Sequence, residues 1–549
     1  MKICNAMLRI LPVTIGFFGC HADPAKNSAT FAGASSGGWT TTGTKSSSTS
    51  ATAGPAFAVY PGPAESYRSD RYSAKVVHQG ETCDAFVQMS RNAWKDYPDK
   101  TGHNFELASM SRENHWLTFT SADPVKVLIH LVTARDSHES KAVSVKVLPE
   151  TGATARITED GCVELSITPA PPATSYYWVC INHADGEQYP LFVLVDPPET
   201  DIPDPHDPAV RFFGPGVHDI GPHFHVLAGQ TVYLAGGALV RGTIDGDGPG
   251  IRILGRGILS GEDLQGDWLR FFRADGQKEG CAAKPKGWLP PDGWTPMVWM
   301  PDGCVVDGPT FIDAPHWNLS LGKGSDSVVK HVKVLSWNYS TDGVKPGRRG
   351  LVEDCFFKVN DDVLLAYNSD ITMRHAVIWK QMNASVVQLG YGYYGARRNI
   401  TVRDIQIIRD ETQWQVAARG IVTMAASKGN TFANLCLENI TLHGDTLNLL
   451  AIDNLNRDTP WSVKIADVTL GPVDLTLKNV TVTGVERGQY GGWMADHQGQ
   501  TMRSRLRTEG SGSICVVFDN VSIHGRKLTG VADFSNGLET AGDVKLDFK

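Results

Sequence analysis

The sequence predicts an all-β chain in which an N-terminal β-sandwich is followed by a right-handed parallel β-helix. Three observations carry that expectation. Between residues 60 and 197, short apolar or alternating runs recur at strand length with turn signals between them. A proline-rich stretch, Asp196-Pro-Pro-Glu-Thr-Asp-Ile-Pro-Asp-Pro-His-Asp-Pro208, then breaks the pattern; it suits neither helix nor central strand and so marks a boundary. From Val210 onward, a polar residue repeatedly precedes a four-residue strand at a spacing near one turn of a coil.

Taken in order, the chain opens with a candidate leader, residues 1–22. Lys2 and Arg9 precede the apolar run Ile10 to Phe18, and Phe17-Phe18-Gly19-Cys20 resembles a lipoprotein cleavage site, with Cys20 the candidate for a lipid anchor. An ordinary signal peptide cut near Ala22 is the rival. Either predicts a secreted or cell-surface protein. Residues 23–58 are rich in Ser, Thr, Gly and Ala and read as a flexible spacer. The sandwich is expected over 59–200. Its strands include Val125 to Val132, Ala142 to Leu148, Tyr176 to Ile181 and Leu191 to Val195, and Ala155 to Ile167 forms a hairpin around Asp160-Gly161.

The β-helix is expected over 210–549. Its repeat begins at His331, Asp354, His375, Asp404, Asn439, Asn479 and Asn520; the first intervals are 23 and 21 residues, and the later ones lengthen as loops grow. Thr231 to Leu234 and Ile251 to Leu259 look like earlier coils. A propeller is the competing fold, but its blades repeat at a steadier length. The Asn-x-Ser/Thr matches at Asn399, Asn439, Asn479 and Asn520 fall at these strand starts and read as turn chemistry.

Composition narrows the functional classes. Five hundred and forty-nine residues allow two or three domains, and a net charge of −8, spread rather than blocked, argues against nucleic acid or an anionic membrane as partner. No apolar run suits a mature transmembrane helix. Eight cysteines remain beyond the leader, an even number that permits disulfides, and their spacing suggests no zinc site.

The stretch from Ser336 to Asp370 carries the chemistry. Asp342 sits in a Thr-Asp-Gly turn, and nineteen residues later comes the pair Asp361-Asp362. Nineteen residues is about one coil, and residues one coil apart stack roughly 4.8 Å from one another. Three carboxylates so placed repel, so at least one should keep its proton at mildly acidic pH. Hydrolysis of a glycosidic bond needs that arrangement: one acid for the leaving oxygen and one or two carboxylates to activate water. Outward splay of the side chains predicts the roughly 6.5–9.5 Å separation of an inverting enzyme. The rival readings are plain turn chemistry and a calcium site, to which Asn360 and Asp370 could lend oxygens.

The motifs themselves go further. Thr-Asp-Gly followed by Val-Asn-Asp-Asp-x-x-x-x-Tyr, then Ile378-Trp379-Lys380 and Val387-Gln388-Leu389-Gly390-Tyr391, resembles glycoside hydrolase family 49, the dextranase and isopullulanase family. The resemblance extends to Phe213-Gly-Pro-Gly-Val-His-Asp219, Val232-Tyr-Leu-Ala-Gly-Gly-Ala238 and Gly257-Ile-Leu-Ser-Gly-Glu262. It implies that Asp361 is the general acid and that Asp342 and Asp362 hold and activate water. The pectinases share the fold and a similar trio, but their Gly-His-Gly and Arg-Ile-Lys tripeptides are absent, which favours a neutral glucan. The stretch Val344-Lys-Pro-Gly-Arg-Arg349 is more basic than the family pattern.

The candidate sugar-binding set is Lys380, Trp379, Gln388, Tyr391, Asn360, Trp337 and Lys345. Trp337, Trp379, Tyr391, Tyr393 and Tyr394 offer rings that either stack on sugar faces or fill the coil. Lys345 is either a substrate contact or a solvated charge, and His316 and His375 read as structural. Arg270 to Asp307 looks like an insertion walling the cleft, with Cys281–Cys304 as its candidate bridge. The resulting expectation is a secreted, monomeric endo-hydrolase of α-1,6 links in dextran, needing no cofactor and no metal. Isopullulanase-type cleavage of α-1,4 links, a lyase acting on a uronate, and a non-catalytic calcium- or carbohydrate-binding protein are the alternatives.

Overall fold

The computed structural model describes residues 52–91, 113–132, 141–171, 175–264, 296–337, 341–383, 385–390, 395–412, 420–424, 430–455, 469–487 and 503–549. The candidate leader, most of the Arg270 to Asp307 insertion and Tyr391, Tyr393 and Tyr394 lie outside these residues.

Two sheets form the N-terminal sandwich. One orders Phe57–Val59, Glu113–Ser121, Leu191–Asp196, Ser175–Ile181 and Val145–Leu148, with Gln88–Arg91 against Glu113–Ser121. The other orders Glu81–Ala85, Tyr72–His78, Val125–Leu131, Val163–Ile167 and Ala153–Ile157. The expected hairpin is present, antiparallel from Ala153↔Ile167 to Ile157↔Val163. The spacer ends earlier than its composition suggests. Thr52 already bridges Ile202, and Phe57–Val59 pairs with Glu113–Ser121, because those few apolar residues complete a sheet edge.

The C-terminal part is one 29-stranded sheet coiled on itself, a parallel β-helix. Strands pair with those one coil away, as in Val328–Lys330, Leu351–Glu353 and Ile371–Arg374. Three such columns surround an apolar core that includes Val306, Phe311, Val334, Phe357, Ile378 and Val387. The repeat seen in the sequence has a backbone cause. His331, Asp354, His375, Asp404, Asn439, Asn479 and Asn520 all have positive φ, between 52° and 58°. Each turns a corner in the left-handed region, which short polar side chains tolerate better than others. Their side chains then bond along the stack: Asn439 Nδ2 donates to Asp404 (2.9 Å), Asn479 to Asn439 (3.0 Å) and Asn520 to Asn479 (2.8 Å). The Asn-x-Ser/Thr asparagines are therefore corner residues.

Alternation explains how the two parts join. Along Ser175–Ile181, Tyr177, Val179 and Ile181 enter the sandwich core, while Tyr176, Trp178 and Cys180 face the β-helix. Phe192 and Leu194 do the same on the neighbouring strand, and they meet Leu239, Ile258, Ile312, Leu335, Phe356 and Trp379 of one β-helix column. These strands are buried along their whole length because both faces are covered. A buried ionic knot sits in the joint: Asp196 accepts from Tyr176 (2.5 Å) and Lys333 (2.6 Å), with Arg256 3.7 Å away. Burial holds Lys333 below the usual lysine range, and the Asp196 carboxylate opposes that shift.

The corner ladder makes a stability prediction. Asn479→Ala loses two side-chain bonds and puts a Cβ residue without polar anchoring at positive φ, at a cost of about 2–3 kcal/mol. Asn479→Gly loses the same bonds but adopts the corner freely, so it should recover about 1 kcal/mol of that. Thermal midpoints in the order wild type, Gly, Ala are expected; equal losses would remove the backbone account.

Candidate active site

The three acids stand at one corner of the coil, between the column containing Lys333–Leu335, Phe356–Val359 and Val377–Lys380 and the column containing Val344–Lys345, Leu364–Leu365 and Val387–Gln388. Asp342 and Asp362 occupy equivalent positions on adjacent coils, since Gly343 N–H donates to the Asp362 carbonyl (2.8 Å) and Val344 pairs with Leu364. The Thr-Asp-Gly motif has a packing reason. A Cβ on Gly343 would meet the Val363 carbonyl at 2.6 Å and the Phe357 ring at 3.0 Å, so only glycine lets the coils close here.

One oxygen from each of Asp342, Asp361 and Asp362 lies within 4.8 Å of the others. These oxygens thus lie closer than the roughly 6.5–9.5 Å that outward splay of the side chains predicts. Asp342 and Asp362 are buried, at 5% and 1% exposure, whereas Asp361 is half-buried. Asp361 accepts from Asn383 Nδ2 (2.6 Å) and from the Asp362 N–H (2.9 Å). Asp362 Oδ1 accepts from the Ser385 N–H (2.9 Å) and hydroxyl (2.6 Å), and Thr423 Oγ1 donates to Ser385 in turn (2.9 Å). The Asp342 carbonyl accepts from Asn318 Nδ2 (2.9 Å).

Burial pushes the Asp342 carboxyl well above the usual carboxylate range, and the neighbouring Asp361 and Asp362 charges push it further, against a smaller opposing pull from Lys380. The trio therefore shares its protons as a set rather than as three independent acids. One coil earlier, burial also raises Asp313 to about 7; its Oδ1 accepts from Trp337 Nε1 (2.9 Å). Lys358, buried against the sandwich, is brought down to about 7 by desolvation.

The other sequence candidates separate into two groups. Asn360 and Gln388 are fully buried braces near the trio: Asn360 Nδ2 donates to the Trp337 carbonyl (2.9 Å) and Gln388 Nε2 to Thr423 (3.1 Å). Trp337 is fully buried too, which leaves it no face for a sugar. Trp379 is a correction of the same kind. Its ring lies 4.7 Å from Trp178 and 5.7 Å from Phe192, in the seam with the sandwich, because alternation turns it away from the coil interior. Lys380 is 1% exposed and spends its ammonium on the carbonyls of Gln381 (2.8 Å) and Asn383, so a direct sugar contact is closed to it. Lys345 is half-exposed and lies over the rings of Trp317 (5.1 Å) and Tyr367 (5.5 Å).

Asn383 and Ser385 were not singled out by motif, although they stand 22 and 23 residues after the acids they serve, the coil period already visible upstream. Trp317 was missed because an isolated aromatic carries no spacing signal, and Tyr367, which closes the Val-Asn-Asp-Asp-x-x-x-x-Tyr motif, was not singled out as a contact. The two residues expected to lend oxygens to a calcium site are otherwise engaged: Asn360 Oδ1 accepts from the Asn383 N–H (3.1 Å), and Asp370 stands at another corner, bonded by Asn399 (2.7 Å). The seven described cysteines are free thiols, and Cys281, the candidate partner of Cys304, lies outside the described residues.

No family model matches the chain. Curated relatives do. A dextranase of Arthrobacter sp. (strain CB-8) is 26% identical over 222 residues, 38% of this chain and 33% of that protein. An isopullulanase of Aspergillus niger is 28% identical over 188 residues, 33% of each, and a dextranase of Talaromyces minioluteus is 30% identical over 209 residues, 33% of this chain and 32% of that protein. The chain thus spans about a third of the length of these relatives. Among solved structures, Dex49A from Penicillium minioluteum superposes over 91% of this chain and all of its own, with a TM-score of 0.65 at 17% identity, which shows a common fold. The sequence matches, all to dextranases or an isopullulanase, and the shared fold support the resemblance to glycoside hydrolase family 49 that the motifs carry.

Proposed function

We propose that the protein is a secreted endo-hydrolase of α-1,6 links in dextran, acting through Asp342, Asp361 and Asp362. The observation that carries the reading is the meeting of three carboxylates from two coils within 4.8 Å, with those of Asp361 and Asp362 held by donors from the following coil. Asp361, the half-buried member, is the one a glycosidic oxygen can reach, and it serves as general acid. Asp342 and Asp362 bind and activate the water. Oxygens within 4.8 Å of one another suit one water bonded to both at about 2.8 Å.

The spacing alone would suit a covalent nucleophile as well, since retaining enzymes hold their carboxyls about 5–5.5 Å apart. Burial favours the inverting reading. At 5% and 1% exposure, neither Asp342 nor Asp362 offers an oxygen that an anomeric carbon could approach, whereas a water is small enough to sit between them. Inversion is therefore the proposed outcome. Cleavage of α-1,4 links in pullulan is the second reading, and the match to an isopullulanase favours it over other glucans.

Reducing-sugar release from dextran, pullulan and polygalacturonate by wild type and Asp361→Asn tests the assignment. Release from one glucan, lost by several orders of magnitude in the variant, is expected, and NMR of fresh product should show the inverted anomer. Substantial activity in Asp361→Asn, or a retained anomer, would sink the mechanism.

Asp342 also has a substrate-free signature. Its folded pKa lies above the unfolded value near 3.9, so ionising it costs stability progressively as pH rises between the two, and the full cost is present above the folded pKa. Asp342→Asn should therefore melt a few degrees above wild type at pH 7 and level with it at pH 3.5, while losing activity. A variant that melts lower at both pH values would contradict the repulsion described here.

A further inference from the structure

We infer that Lys380 is a positioning residue for the carboxylate trio, locking from inside the coil the turn that presents Asn383 to Asp361. The inference rests on the reading of the trio as an active site and assigns Lys380 a role other than sugar contact. Three observations support it. Val377–Lys380 alternates across the coil wall: Ile378 enters the core, Trp379 faces the sandwich, and Lys380 turns inward again, in register with Val359 before it and Asp410 after it. A lysine there cannot reach solvent, and it is 1% exposed.

Its ammonium instead donates to the carbonyls of Gln381 (2.8 Å) and Asn383, closing the Gln381-Met382-Asn383 turn around itself. That turn is the one whose Asn383 side chain donates to Asp361 (2.6 Å) and whose Asn383 N–H donates to Asn360 (3.1 Å). Without the ammonium, two inward carbonyls would lose their donor, and buried carbonyls without donors drive local rearrangement. The expected casualty is the orientation of Asn383, and with it the rotamer of the general acid.

Lys380 also acts at a distance. Its positive charge lowers the proton affinity of Asp342 against the larger effects of burial and the two neighbouring acids. The other charges packed around it do not take that place. Asp410, on the next coil, already accepts from Thr412 (2.5 Å) and Thr446 (2.7 Å). Glu411 pairs with Arg409 (2.8 Å) on the far side, and Lys358 faces the sandwich beside Trp379 (5.5 Å).

The test compares wild type, Lys380→Met and Lys380→Arg for kcat, KM and pH profile on the cleaved glucan, with thermal midpoints from pH 4 to pH 8. Lys380→Met should lose 10- to 1,000-fold in kcat with KM within about threefold, and its acid limb should move to higher pH because the trio keeps its protons longer. Lys380→Arg, which keeps the charge, should leave the acid limb in place. The melting deficit of Lys380→Met should be larger at pH 8, where the trio carries more negative charge, than at pH 4. A tenfold rise in KM at unchanged kcat would mean a substrate contact and overturn the inference, as would an unmoved acid limb together with a pH-independent melting deficit. If wild type cleaves no glucan, the proposed function fails, and the pH dependence of the melting deficit still decides the role of Lys380.

Discussion

In-register stacking of parallel coils is the constraint on which both the stability and the chemistry of this protein depend. A parallel column brings equivalent residues of successive coils to about 4.8 Å, whatever their character. Where the equivalent residues are Asn439, Asn479 and Asn520, that closeness is favourable: each amide donates to the oxygen of the one before it, and the left-handed corner costs little. Where they are Asp342 and Asp362, with Asp361 alongside, the same closeness is repulsive and desolvating. The fold tolerates the second because the first, repeated along the coil, fixes the register that an acid corner alone would push apart.

This constraint also explains what could be seen in the sequence. The β-helix was legible because its corners demand short polar residues at a regular spacing, and a demand of backbone geometry writes itself into composition. The acids were legible for the same reason, through Gly343: the coils pass so closely there that only glycine fits beside Asp342, giving a recognisable Thr-Asp-Gly. Side-chain direction was less accessible. Trp379 and Lys380 are neighbours in one motif, yet one faces the sandwich and the other the interior, and both are buried. Motif reading grouped them as sugar contacts because it cannot tell which wall of a strand a second domain covers. The separation of the carboxylates was misjudged likewise: outward splay needs free space, and Asn383 and Ser385 of the following coil occupy it.

The sandwich has a part in this beyond support. It covers the column that carries Lys333, Phe356 and Trp379, and so forces the cationic residues of that wall to find partners inside the protein. Lys333 is neutralised by Asp196, Lys358 is desolvated to a pKa of about 7, and Lys380 is turned into the coil. A polysaccharide carboxylate arriving at the trio would meet three acids and could reach neither Lys358 nor Lys380. Half-exposed Lys345, for its part, is drawn over the rings of Trp317 and Tyr367. Such a corner repels a uronate and leaves a neutral sugar unopposed, with ring faces nearby and carboxylates to bind its hydroxyls. The proposed preference for a neutral glucan thus draws on where the positive charges are buried as much as on where the negative ones are displayed.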